Sequence, residues 1–209
     1  LSKKFNMVKN ENLLPKIISM VIFFVDQIKK KKSLSEILDI KKLMNVDRPI
    51  ESANGLPNEC YTSDQYLEYE RNKIFCDKWT VIGVGSSIPK VGDIKPYNLL
   101  GIPLIIVRDK DLKIRVFHNV CSHRGFKLID KACTLKNVIR CPYHSWSYDF
   151  KGNLVATPHI GGLNIHNSDQ FEKNQSNLKE VKSKVWMDII FVNINSNEIE
   201  FEDYIKPLE

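Results

Sequence analysis

Two short stretches, Cys121-Ser122-His123 and Cys141-Pro142-Tyr143-His144, each bring one thiol and one imidazole together, with 17 residues between His123 and Cys141. Thiolates and imidazoles are metal donors, so four of them at this spacing predict a metal centre held between two loops. A tetrahedral zinc ion could use two of each, but structural zinc sites commonly put paired cysteines in one knuckle and paired histidines in the other. Here each loop offers one of each kind. That arrangement fits a two-iron cluster whose cysteines hold one iron and whose histidines hold the other. Zinc stays open as the alternative at this point. Pro142 stiffens the second loop, and Gly125 lets the first turn closely.

The remaining candidate donors are weaker. Five cysteines, Cys60, Cys76, Cys121, Cys133 and Cys141, make an odd number with irregular spacing, which suits reduced thiols and metal ligation and hence a cytoplasmic protein. Cys133 lies between the loops and reads as a bystander, because four ligands are already supplied. Cys60 and Cys76 have no ligand types beside them, and His118 reads as a strand residue. A mononuclear Fe(II) needs two histidines and a carboxylate. Beyond the loops the chain offers His159, His166 and carboxylates such as Asp169, but Pro158 to Gly162 reads as a loop. No catalytic residue is assigned within this chain.

The elements that must position the two loops are short and β-rich. Runs at Thr80 to Val84, Ile94 to Leu100, Leu104 to Arg108, Ile114 to Phe117, Val138 to Arg140, Ser147 to Phe150 and Lys184 to Ile194 predict strands, punctuated by Gly, Pro and Asp. Turns are expected at 109–111 and 149–153. Many short strands at close spacing predict a mainly β, antiparallel sandwich or barrel. A helix over about residues 63 to 77 precedes them, started by the capping-box-like Thr62-Ser63-Asp64-Gln65, with Leu67, Ile74 and Phe75 as its buried stripe. Residues 29 to 57 read as a linker or extended arm, which places an N-terminal helical and basic segment at 1–57 and the domain at 58–209.

Charge divides along the same line. Residues 1–50 hold 11 bases and 5 acids, whereas 51–209 hold 20 of each, so the body is neutral and the pI of about 9.0 gives no case for nucleic-acid binding. At 43% hydrophobic and 27% charged, the composition is that of a globular protein rather than a disordered or polytopic membrane chain. The longest apolar run, Leu13 to Val25, is broken by Pro15 and Lys16 and is too short to span a bilayer. It reads as part of an amphipathic helix over Ile17 to Ile28.

Beyond the donors, the runs Phe117-His118-Asn119-Val120-Cys121-Ser122-His123-Arg124-Gly125 and Arg140-Cys141-Pro142-Tyr143-His144-Ser145-Trp146-Ser147-Tyr148, followed by Gly152 and Leu154, carry a resemblance. From about Tyr66 to Leu208 the chain resembles the N-terminal Rieske domain of the α subunits of Rieske non-haem iron oxygenases, the ring-hydroxylating and related family. The resemblance implies a Rieske [2Fe-2S] cluster with Cys121 and Cys141 on the inner iron and His123 and His144 on the outer, redox-changing one. Arg124 and Trp146 are candidates to shield the cluster and its hydrogen bonds. The Rieske proteins of the respiratory complexes bridge their loops with a disulfide, but those places here are Phe126 and Tyr143. They also present a hydroxyl two residues after the second histidine, where this chain has Trp146. Fewer donors imply a potential near the low end of the roughly −150 to +300 mV Rieske span.

The same resemblance implies the system around the chain. Electrons would come from an NAD(P)H-dependent reductase or ferredoxin and pass to a mononuclear Fe(II). That iron is expected in a helix-grip catalytic domain outside this chain, read here as a truncated product or the first half of a split one, with a homotrimer expected for a full-length subunit. A free-standing Rieske ferredoxin and a zinc-bound interaction module are the competing expectations, and no transmembrane span is expected.

Overall fold

The computed structural model describes residues 34–166, 168, 171–196 and 199–208. The helix expected over 17–28, and Asp169, lie outside the described residues. The chain divides into two compact units, 1–67 and 68–209. In the first, short helices at Leu34–Ile37 and Ile40–Met44 interrupt the expected linker or arm over 29–57, and a third, Glu59–Thr62, follows it. Asp39 caps the second of them, its carboxylate accepting from the Lys41 N–H at 2.9 Å.

The expected helix over 63–77 forms as an α-helix at Asp64–Glu70 that continues as a π-helical turn, Arg71–Phe75. Ser63 Oγ accepts from the Tyr66 N–H at 3.3 Å, while the Thr62 hydroxyl donates back to the Asn58 carbonyl. The expected buried stripe does not form, since Leu67 and Ile74 are 49% and 46% exposed. A stripe spaced at 3.6 residues loses its register where the winding widens. Cys76 and Trp79, just past the wide turn, are the buried residues instead.

Among the described residues the second unit holds ten antiparallel strands in three small sheets. The first sheet runs in the order β1 (Thr80–Val84), β10 (Ile189–Asn193), β9 (Lys182–Trp186). The second runs β4 (Ile114–His118), β3 (Ile102–Arg108), β2 (Asp93–Leu99), β5 (Cys133–Thr134). The third runs β6 (Ile139–Arg140), β7 (Ser147–Tyr148), β8 (Leu154–Ala156).

The alternation of side chains along single strands stacks these sheets into layers. On β3, Leu104 and Ile106 enter one core with Val116, Ile190 and Val192, while Ile105 and Val107 enter another with Phe117, Cys121, Cys141 and Tyr148. The unbroken apolar run of β3 is therefore the mark of a strand buried on both faces. On β10 the odd residue out, Phe191, turns to a third core with Trp79, Phe201 and Ile205, where the C-terminal helix Phe201–Ile205 covers the first sheet.

Two local differences from the sequence expectation have physical causes. The single run expected over 184–194 is two strands joined by a tight turn at Met187 and Asp188, both left-handed, a conformation sequence signals through Asn-Gly or Asp-Gly rather than Met-Asp. β5 and β8 are two- and three-residue strands, too short for a two-residue period to register. The turns at 109–113 and 149–153 share one construction. Asp109 and Asp149 each accept two backbone N–H bonds from their own loops at 2.9 Å, and the second loop needs Gly152 at φ +86. A Cβ on Gly152 would come within 2.5 Å of the buried Phe117 ring, so this glycine also seats the core beneath the loops.

Candidate metal centre

The two donor loops have the same backbone. The Cys121 N–H donates to the Phe126 carbonyl and the Cys141 N–H to the Trp146 carbonyl, both at 2.8 Å. Each cysteine carbonyl then accepts from the residue four on, Gly125 at 2.9 Å and Ser145 at 3.0 Å. These fourth residues are left-handed, with φ +70 at Gly125 and +59 at Ser145. Glycine adopts that conformation freely, and Ser145 holds it at a cost. The matched turns put both thiols at the buried root of the loops, each about 1% exposed, and both imidazoles toward the rim.

All four sequence-predicted donors are thereby brought together. The His123 and His144 rings meet edge to face at 4.8 Å between centroids, and Cys121 and Cys141 share one buried core. Burial pushes the Cys121 thiol up, and the neighbouring Cys141 adds to the shift. A thiol so placed stays protonated unless a cation shares its site. His144 Nδ1 is buried without a hydrogen-bond partner. Buried polar atoms are nearly always paired, so an orphaned ring nitrogen three residues from a buried cysteine is what a metal-ligand position looks like. The donor set therefore fits a [2Fe-2S] group held by two thiolates and two imidazoles. Among the described residues no three His, Cys, Asp or Glu side chains gather as a site for one ion. The donors stand as two pairs.

Aromatic rings close the site. Trp146, 5% exposed, stacks on His123 with centroids 4.5 Å apart and planes 9° from parallel, and Phe171 meets the indole at 5.4 Å. Phe126 and Tyr143 touch across the loops at 5.4 Å between rings, where the respiratory class has its disulfide. Arg124 is exposed, and with His123, His144 and Trp146 it lines an open cavity of about 760 Å³. Burial holds the His123 imidazole below its ordinary range, helped by the charges of His144 and Arg124.

Two residues escaped the sequence reading. Tyr148, fully buried, brings its hydroxyl to 3.1 Å from Cys121 Sγ and accepts from the Ser122 N–H at 3.2 Å. Its burial drives the phenol well above its usual range, so it acts only as a neutral hydroxyl. A tyrosine on an inward strand position was the available signal, because a buried phenol needs a partner. Asn119, 1% exposed, donates through Nδ2 to the Ile129 carbonyl at 2.7 Å and accepts through Oδ1 from the Leu128 and Ile129 N–H groups at 3.1 and 2.9 Å. This clamps the segment after the first loop two residues from Cys121.

Cys133 and His118 stand apart from this arrangement, whereas His159 lines the cavity with His123 and His144. Cys133 is exposed on β5 opposite Ile94, and His118 is half-buried on β4 opposite Leu104, its imidazole held low by burial and by Lys179. His159 and His166 meet edge to face at 5.0 Å, but the Nδ1 of each accepts from a backbone N–H, of Asn164 and of His159 respectively. Those bonds tie the loop together.

Comparison with known proteins agrees with this geometry. Residues 78–167 match the family model described as the Rieske [2Fe-2S] domain. The carnitine monooxygenase oxygenase subunit of Acinetobacter pittii is 32% identical over 149 residues, 71% of this chain and 39% of that protein. The benzene 1,2-dioxygenase α subunit of Pseudomonas putida is 27% identical over 158 residues, 74% of this chain and 34% of its own length. The crystal structure of the apo form of a quaternary ammonium Rieske monooxygenase superposes with a TM-score of 0.65 at 30% identity, over 74% of this chain and 43% of that one. The chain thus spans about two fifths of the length of the relatives it matches.

Proposed function

We propose that this chain, which carries a Rieske [2Fe-2S] domain homologous to those of Rieske oxygenase α subunits, relays single electrons from an NAD(P)H-dependent reductase or ferredoxin to a mononuclear iron centre outside the chain. Cys121, Cys141, His123 and His144 hold the cluster, and residues 58–209, which follow the 1–57 arm in the chain, form the electron-transfer domain. The bound cluster supplies one-electron redox chemistry. The protein's part is position and tuning. Cys121 and Cys141 fix the inner end, His123 and His144 put imidazole edges at the cavity mouth, and Trp146 and Phe171 keep water off one flank. Arg124 and the exposed Tyr143 at the same mouth offer a docking rim.

The observation that carries this reading is the orphaned, buried His144 Nδ1 in one of two donor loops of matched backbone, each with a buried cysteine at its root. The named relatives range from carnitine and glycine betaine monooxygenases to benzene dioxygenase, so what this chain shares with them is the electron chemistry and not a substrate. Among the described residues no helix is long and apolar enough to cross a membrane, and we place the protein in the cytoplasm from its thiol usage.

Anaerobic reconstitution with iron and sulfide tests the reading, followed by iron analysis, low-temperature EPR and stopped-flow reduction by an NADH-dependent reductase. The expected result is two irons and two sulfides per chain and rapid one-electron reduction without substrate oxidation. A colourless chain retaining one zinc would favour the interaction-module alternative.

A further inference from the structure

Tyr148 has one hydroxyl proton and three polar neighbours. The Ser122 N–H can only donate to it, at 3.2 Å. The other two contacts, Cys121 Sγ at 3.1 Å and Ser122 Oγ at 2.8 Å, are both able to take its proton. Which of them does so is settled by a fourth group. Ser122 Oγ also lies 2.5 Å from the Ser176 carbonyl. A carbonyl oxygen has no proton to give, so the hydroxyl proton of Ser122 must lie in that contact. Ser122 Oγ then faces Tyr148 with lone pairs only, and it competes with Cys121 for the phenolic proton.

The competing acceptor is held in place. The segment beyond Ser176 is tied to the third sheet, with the Leu178 N–H donating to the Gly152 carbonyl at 2.8 Å and Asn177 Oδ1 accepting from the Leu154 N–H at 2.9 Å. Tyr148 is fully buried, so water cannot supply a substitute.

We propose that Ser122 is a positioning residue that lowers the cluster's reduction potential, by drawing part of the Tyr148 hydroxyl proton away from Cys121 Sγ. The inference rests on the proposed cluster ligation by Cys121. A ligating thiolate carries no proton, so Tyr148 is then the only donor in that pair. A donor on the thiolate favours the more negative, reduced cluster. Ser122, anchored by the Ser176 carbonyl, divides that donor.

The test is the midpoint potential of the cluster in the full chain, with iron and sulfide content and the visible spectrum recorded for every variant. Tyr148→Phe removes the donor and should disfavour the reduced form about tenfold, or ~59 mV downward for a one-electron couple. Ser122→Ala releases the proton to Cys121 and should favour the reduced form about threefold, ~28 mV upward. Ser122→Thr keeps the hydroxyl and should stay near wild type. In the Tyr148→Phe background, Ser122→Ala should do nothing, since no proton is left to divide. An unchanged or lowered potential in Ser122→Ala, or the same upward shift without the Tyr148 hydroxyl, would overturn the proposal while leaving the cluster assignment standing. A wild-type chain that takes up no iron and sulfide overturns both.

Discussion

Replacing Asn119 by alanine removes three hydrogen bonds, all to buried backbone of the segment after the first donor loop: one to the Ile129 carbonyl and two from the Leu128 and Ile129 N–H groups. Leu128 and Ile129 are only 5% and 8% exposed, so little water can reach the orphaned groups. Each buried unsatisfied group costs ~1–3 kcal/mol, and partial relaxation puts the total near ~3 kcal/mol. That is a large share of the ~5–15 kcal/mol that holds a domain together. At ~2–4 °C per kcal/mol for a domain of this size, melting should fall by ~10 °C. Because Cys121 follows two residues later, visible absorbance of the cluster-loaded chain should be lost at the same lowered temperature. Far-UV circular dichroism and visible absorbance, followed together through a thermal ramp, measure both. Lys127→Ala in the same segment is the control, since it breaks only the exposed pair with Asp130 and should cost below ~0.5 kcal/mol. If Asn119→Ala melts within ~3 °C of the control, the clamp argument is wrong.

Other expectations concern the loops and the turn behind them. Ser145→Gly should raise stability by ~0.5–1 kcal/mol, the left-handed cost at φ +59 less the added chain entropy, and urea midpoints would show it. Asp109 is buried, which alone would push its carboxyl up, but the bonds from Arg115 and from the Lys113 and Asp111 N–H groups outweigh burial and hold it below the usual carboxylate range. Its folded value lies below its unfolded one, so its contribution is present above pH ~4 and lost as pH falls through the depressed value. Asp109→Asn should therefore show a shallower loss of melting temperature between pH 5 and pH 3 than wild type, and an equal slope would count against the assignment. His144→Cys should keep a cluster and lower its potential by ~100 mV or more, because a thiolate adds charge where a neutral imidazole stood; spectroelectrochemistry reads the shift.

The four candidate donors were legible from residue type and spacing, because a metal centre demands particular side chains within short loops and nothing else in the chain repeats that pattern; the choice of iron–sulfur over zinc leaned on the longer runs that carry the resemblance. The antiparallel layering was legible as well. A strand-forming apolar run is a local property, and β3 and β10 carry it clearly. What stayed hidden was set by contacts between segments distant in sequence. The Ser122 hydroxyl meets a carbonyl 54 residues away and the Tyr148 hydroxyl meets a thiol 27 residues away, and no local pattern encodes either. Asn119 stands in the sequence as one polar residue on a strand end, and only packing turns its amide into a clamp on Leu128 and Ile129. The missed stripe of the leading helix has the same origin, since its winding widens over Arg71–Phe75 where the period-based reading assumes a constant pitch. Sequence named the candidate donors because coordination chemistry is selective for residue type. The tertiary structure decided their hydrogen bonds, because a buried polar atom takes as its partner whatever the fold brings to it.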